Sequence, residues 1–166
     1  MAERESLDYY ELTGLEDLSL PRPQPPQGIH IRAVDPEVDL SRIAELYNAA
    51  FELVGHDAVT DDEVAAYARH PGMALPGTFL AFEGALAVGV IVGRLDVPAP
   101  GGDPRRAAVE LLAVRPGYRR RGIAGALVVR MLAWLADQGV QTVVVAGGGP
   151  AVEALLRRYG FRPGAG

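Results

Sequence analysis

Apolar positions recur along the chain at two periods, and the switches between them mark out the elements. Ile29-His-Ile-Arg-Ala33 alternates apolar with polar residues, as a half-buried strand does. Leu40, Ile43, Ala44, Tyr47, Ala50 and Phe51 then follow the i, i+3, i+4, i+7 spacing of a helix with one buried face. Thr60-Asp-Asp-Glu63 is a capping box and opens a second, short helix, which should stop before Pro71 because the residue preceding proline resists the helical region. Thr78–Phe82 and Leu86–Arg94 read as a hairpin around the turn dipeptide Glu83-Gly84, and Pro98–Pro104 is a loop by composition. Ala107–Val114 is a nearly all-apolar strand with Glu110 its only charge. Ala124, Leu127, Val128, Met131, Leu132 and Leu135 keep the helical period up to Gly139, a natural stop. Thr142–Ala146 has the short β-branched character of a strand buried on both faces of a parallel sheet. A last helix starts at Pro150 and carries Val152, Leu155, Leu156 and Tyr159 on its inner face. The order β-α-α-β-β-β-α-β-α predicts a mixed α/β fold, a central sheet flanked by helices.

Residues 1–28 stand apart, with six acids, two arginines and the run Pro21-Arg-Pro-Gln-Pro-Pro-Gln-Gly28. Such a run favours polyproline II and cannot join a central strand, so 1–28 reads as an N-terminal arm or linker ahead of a domain over 29–166. Leu7, Tyr9, Tyr10, Leu12, Leu15 and Leu18 imply that part of the arm packs onto something.

A chain of 166 residues fits one domain. The absence of cysteine excludes a disulfide scaffold, a thiolate metal site and a cysteine nucleophile. No apolar run approaches the roughly 18 residues of a membrane span, and the acidic start lacks the apolar core of a secretory signal. The default address is therefore the cytoplasm. A net charge of −5 argues against nucleic-acid binding. All 16 basic residues are arginine, as coding bias toward Ala, Gly, Pro and Val would also produce. They are nonetheless uneven, with Arg115, Arg119, Arg120, Arg121 and Arg130 falling in a stretch without an acid. His30, His56 and His70 show no ligand spacing, so no metal is expected.

The chemistry concentrates in residues 109–127, which read as a strand, a basic glycine-containing turn and a helix start. The first amides of a helix have no intrahelical acceptor, and with the macrodipole they form an anion site suited to phosphate. Gly122 and Ala124 permit close backbone approach, and the guanidinium groups of Arg119, Arg120 and Arg121 match phosphate geometry. The turn lacks the lysine of a Walker loop and the three glycines of the dinucleotide fingerprint.

Arg119-Arg-Arg-Gly122-Ile-Ala124 fits the pattern Gln/Arg-x-x-Gly-x-Gly/Ala, the acetyl-CoA signature of the GNAT superfamily of N-acetyltransferases. Leu112-Ala-Val-Arg-Pro-Gly-Tyr118 resembles that family's fourth strand and its exit, and Leu155-Leu-Arg-Arg-Tyr-Gly-Phe161 its late helix. The resemblance covers residues 29–161 and implies the GNAT acyl-CoA N-acyltransferase fold. It further implies acetyl-CoA as acyl donor, no metal, and a primary amine of a small molecule or peptide as acceptor. The pantetheine arm would pair with the backbone of Leu112, Ala113 and Val114, where two strands splay. The diphosphate would rest on the amides of Arg119, Arg120, Arg121, Gly122, Ile123 and Ala124. The amine would attack the thioester directly, with the oxyanion held by a backbone amide near Val114. A base must take the ammonium proton and an acid must protonate the leaving thiolate. Glu110 is the candidate base; its period-2 partners are Leu112 and Val114, and it could also be an ordinary strand-end charge.

The chain departs from the family in three places. Leu156 stands where many members carry a thiolate-protonating tyrosine, leaving Tyr159 as the candidate acid beside its reading as a packing residue. Gly147-Gly-Gly-Pro150 replaces the asparagine that often opens this helix. After Gly160-Phe161 only Arg162-Pro-Gly-Ala-Gly166 follows, a shortened C-terminal end where members add one or two strands. The N-terminal arm, a homodimer partner or a second GNAT domain would complete that sheet edge. The loop with His56 and Asp57, ahead of Asp61 and Asp62, would border the acceptor cleft. A second function stays open: a catalytically silent acyl-CoA-binding sensor, or the structural module of a tandem acetyltransferase.

Overall fold

The computed structural model describes residues 9–20, 24–51, 58–69, 77–95, 105–146 and 150–164. In chain order these form β1 (Tyr9–Leu12), a 3-10 turn at Leu15–Asp17, β2 (Ile29–Ala33), α1 (Leu40–Phe51) and α2 (Asp61–Ala68). Next come β3 (Phe79–Glu83), β4 (Leu86–Leu95), β5 (Arg106–Val114), α3 (Ile123–Asp137), β6 (Thr142–Ala146), α4 (Pro150–Arg158) and β7 (Arg162–Pro163). Among the described residues one sheet runs β2-β3-β4-β5-β6-β1-β7. All neighbours are antiparallel except β5 and β6, whose parallel pairing is bridged by α3.

Each face of the sheet carries its own core. Ile123, Leu127, Met131, Leu132 and Leu135 of α3 and Leu156 of α4 pack with Val88, Ile91, Val143 and Val145. Ile43 and Leu46 of α1, with Val64 of α2 at their margin, pack with Leu80, Phe82, Val90 and Val92 on the opposite face. Helix and strand periods have thus each turned one apolar set inward.

β1 and β7 are the additions to the expected elements. Tyr9–Leu12 has the period of a strand, with Tyr10 and Leu12 buried on the α3 side. Tyr9 to Leu12 face Ala146 to Val143 in order, and Tyr10 and Glu11 face Pro163 and Arg162 on the other side. The position beside β6 is therefore filled by the chain's own N-terminal residues. The ring of Tyr9 lies across Gly164, where any Cβ would come within 2.0 Å of it, an aromatic cover for an edge glycine. Beyond β1, the amide of Leu15 donates to the carbonyl of Gln141 (3.1 Å) and its side chain is buried. The path to β2 ends in a turn where Ile29 N–H donates to Pro26 C=O (3.0 Å) with Gly28 at φ +82°. That turn brings Pro26 beside Gly122, at the start of α3.

Local chemistry fixes the ends of α1 and α2. The capping box forms as read: Thr60 Oγ1 accepts from Glu63 N–H (3.2 Å), while Glu63 Oε2 accepts from Thr60 N–H (3.5 Å). Asp39, fully buried at the start of α1, accepts from Arg32 (2.5 and 2.9 Å), Arg42 (2.8 Å) and the Asp35 amide (2.7 Å). The hydrogen-bonded Arg32 guanidinium, with the Asp35 amide and Arg42, holds its carboxyl well below the usual carboxylate range. Its stabilising contribution is present above the unfolded pKa of about 3.9 and is lost as pH falls below it. Asp39→Asn should therefore cost about 1–3 kcal/mol at pH 7, and the difference from wild type should shrink as pH falls from about 4 toward 2, read from urea midpoints.

Candidate functional site

The parallel pairing of β5 with β6 runs from Arg106 opposite Thr142 to Val109 opposite Val145 and stops there. β5 continues to Val114, paired on its other side with Gly89–Val92 of β4. The strand backbone of Leu111–Val114 on the side that faces β6 consequently has no ladder partner among the described residues. Leu112, Ala113 and Val114 line this split.

Glu110 marks the point where the split opens. Gly93 faces Val109 and Val92 faces Leu111, so Glu110 is the extra residue of a β-bulge. The bulge resets the alternation: Val109, Leu112 and Val114 belong to the α3 side, Leu111 and Ala113 to the α1 side. A Cβ on Gly93 would lie 3.0 Å from Met131 of α3, so the neighbouring Arg94 projects from the α1 side. There Arg94 Nε meets Glu110 Oε1 at 2.8 Å. The period-2 grouping of Glu110 with Leu112 and Val114 is thereby overturned, because the bulge inserts one residue between the two halves of the strand. The Glu110 side chain is 26% exposed, within reach of solvent yet oriented by an ion pair.

The turn after β5 is built from its proline and glycine. Tyr118 N–H donates to Arg115 C=O (3.0 Å), with Pro116 at the second position and Gly117 at φ +90° at the third, a type II turn. Arg120 (φ +65°) and Gly122 (φ +84°) are the positive-φ residues of 119–122, so the sign of φ alternates through the stretch. Such alternation turns successive N–H groups toward one concavity, an anion-binding nest. Gly122 then caps α3 with no side-chain acceptor, leaving the first helical amides outward. Nothing approaches a Cβ placed on Gly122 closer than Pro26 at 3.8 Å, so the concavity is open at that residue.

Two of the three consecutive arginines turn to protein groups. Arg119 donates from Nε to Val114 C=O and from Nη2 to Ala50 C=O, both at 3.1 Å. Arg121 lies over the ring of Tyr118 (5.0 Å) and pairs with Glu83 (3.6 Å), whose other oxygen accepts the Tyr118 hydroxyl at 3.0 Å. That carboxylate pushes the Tyr118 hydroxyl above its ordinary pKa. Arg120 is exposed in the left-handed region, and Arg115 donates to Ala87 C=O (3.1 Å) and meets Glu45 at 3.3 Å. The local excess of arginine therefore ties the turn to its neighbours as well as charging it. Sequence pattern alone did not disclose these braces.

On the α3 side, Leu156 is buried among Val109, Leu112, Val128 and Val145. Tyr159 is half-buried, its hydroxyl 2.8 Å from where a Cβ on Gly125 would stand, against the first turn of α3. The two candidate proton carriers thus belong to opposite faces, Glu110 on the α1 side and Tyr159 on the α3 side. His30 stacks on Phe82 at 5.3 Å; His56, Asp57, His70 and Gly147–Gly149 lie outside the described residues. No group of three or more His, Asp or Glu is arranged to hold a metal ion among the described residues, and no described helix is long and apolar enough to cross a membrane.

Residues 40–161 match the model of the acetyltransferase (GNAT) family. A comparison with curated proteins gives no significant match. Among solved structures, a GCN5-related N-acetyltransferase from Sphaerobacter thermophilus superposes with a TM-score of 0.77 at 24% identity, over 95% of this chain and 48% of that one. The chain thus spans about half the length of that relative. A GNAT family acetyltransferase from Brucella melitensis, in complex with acetyl-CoA, gives 0.63 at 24% identity over 82% and 87%. The ribosomal-protein-S18-alanine N-acetyltransferase from Escherichia coli gives 0.64 at 18% identity over 82% and 79%. At these identities the likeness carries the fold.

Proposed function

The chain belongs to the GNAT acetyltransferase family, acetyl-CoA-dependent by kind, and from that premise we propose that it acetylates a primary amine of a small molecule or peptide by direct attack. The observation that supports this reading most is the split between β5 and β6, with the basic nest at one end and Glu110 at its opening. The residues present fit acetyl-CoA: a concavity of backbone amides open at Gly122, continued by β5 backbone that the β6 ladder does not reach.

When bound, acetyl-CoA supplies a thioester as the electrophile. The amides of Arg119 to Ala124 hold the diphosphate, helped by the charge of Arg120, and the backbone of Leu112, Ala113 and Val114 orients the pantetheine arm. Arg94 keeps one oxygen of Glu110 fixed, and the carboxylate takes the proton of an ammonium arriving from the α1 side. The Val114 amide donates where negative charge develops. The hydroxyl of Tyr159, on the α3 side, would give its proton to the thiolate that leaves as the amide C–N bond forms and the thioester C–S bond breaks. Within the N-terminal arm, Tyr9–Leu12 form a strand of this same sheet.

Leu156, apolar and buried, favours a second reading, that of a silent acyl-CoA-binding module. Titration calorimetry with acetyl-CoA, followed by a thiol-release screen over an amine panel, separates the two. Binding with turnover is the expected result, binding without turnover would select the silent module, and no binding would refute both. Gly122→Ala, which forces a Cβ onto a left-handed residue at a strain of roughly 1–2 kcal/mol, should weaken acetyl-CoA binding about tenfold by reshaping the nest.

A further inference from the structure

Arg119 lies in the donor turn, yet both ends of its guanidinium bond elsewhere in the protein. Nε holds the carbonyl of Val114, the last residue of β5, and Nη2 holds the carbonyl of Ala50 in the last turn of α1. The carbonyls of a last helical turn have no partner within the helix, so Arg119 acts there as a cap supplied from a distant segment. The peptide group after Val114 is fixed from its other side as well, since Arg115 N–H donates to Val88 C=O at 2.8 Å. The same end of α1 has a second tie. Asn48 Oδ1 accepts from Val59 N–H (2.7 Å) and its Nδ2 donates to Val59 C=O (2.9 Å). The entry to α2 is thus fastened to α1 as a ladder partner would be.

We infer that Arg119 is a positioning residue that makes the acyl-donor turn, the end of β5 and the α1–α2 side of the site one mechanical unit. The inference rests on the proposed coenzyme site. A ligand that orders the turn amides also orders the Ala50 carbonyl through the guanidinium, and from there Val59 through Asn48. Only a planar group with donors pointing two ways reaches both carbonyls; a lysine ammonium is a single point.

Hydrogen exchange of the full chain, with and without coenzyme A as the probe, tests this. In wild type, coenzyme A should slow exchange at the amides of 119–126, of 47–51 and of Val59. In Arg119→Gln the backbone nest remains, so protection of 119–126 under saturating coenzyme A should persist. Protection at 47–51 and Val59 should fall by about fivefold or more, the lower end of ordinary coupling between sites. Arg119→Lys should behave like the glutamine variant, and it replaces that variant if the latter does not fold. Protection at 47–51 that survives in either variant would overturn the proposal, even if the melting temperature fell. So would a loss of coenzyme A affinity greater than about tenfold, which would make the side chain itself a phosphate ligand. A wild-type chain that fails to bind coenzyme A would instead refute the parent reading, and this proposal with it.

Discussion

Replacing Glu110 by glutamine should lower kcat about 10²- to 10³-fold toward the best amine of a panel, while acetyl-CoA affinity and melting temperature stay close to wild type. A general base acts on the proton of the incoming ammonium after the donor is bound, so its loss falls on turnover. That loss corresponds to about 2.7–4 kcal/mol of barrier. The structural cost is small by comparison: the Arg94 pair is partly exposed, and such pairs are worth about 0–1 kcal/mol. Arg94→Gln should show the same pattern in weaker form, since it removes the cation that pairs with the carboxylate and leaves the carboxylate itself. Thiol release under saturating acetyl-CoA, beside calorimetric binding, checks this. Turnover within about threefold of wild type for Glu110→Gln would move the base elsewhere.

Removing residues 1–13 should abolish cooperative thermal unfolding. Tyr10 and Leu12 are both nearly buried, and truncating one such side chain to alanine costs about 2–5 kcal/mol. The deletion removes both, strips the outer edge of β6, leaves β7 without a partner and uncovers Gly164. Against a typical total of about 5–15 kcal/mol, little would remain. Leu12→Ala alone should lower stability by about 2–5 kcal/mol with folding retained, which separates a graded packing loss from a general intolerance of change at this end. Circular dichroism melts of the three chains decide it. A truncated chain melting cooperatively near the wild-type temperature would show that β1 is dispensable.

Most elements between Ile29 and Arg158 were legible because their signals are local. The helical stripe from Leu40, the capping box at Thr60, the Glu83-Gly84 turn and Gly139 each state an element or its end within a few residues, and β2 and β6 fall on their expected bounds. β1 escaped because four residues of correct alternation mean little until β6 arrives as a partner from the far end of the chain. β7 is two residues long and includes a proline, below any periodic signal. The turn at Arg119–Ala124 was legible as a bend into a helix start, since its glycine and the helical period after it are sequence features. The directions of its arginines were not, because Ala50, Glu45 and Glu83 are neighbours only in the folded chain. The bulge at Glu110 was invisible for the same reason: one inserted residue is defined only against Val92 and Gly93 of the adjacent strand.

The placement of β1 also sets a timetable for synthesis. Tyr9 pairs with Ala146, so β1 must wait until β2 to β5, α3 and β6 have been made before it has a place to dock. Until then Tyr10 and Leu12 lack their partners, and the hairpin β3-β4, with β2 beside β3, can assemble without them. Contacts so far apart in sequence fold slowly, because the loop-closure entropy must be met before the contact rewards it. During translation β1 therefore stays unpaired until β6 has been made, and its insertion between β6 and β7 is a late, long-range closure of the sheet.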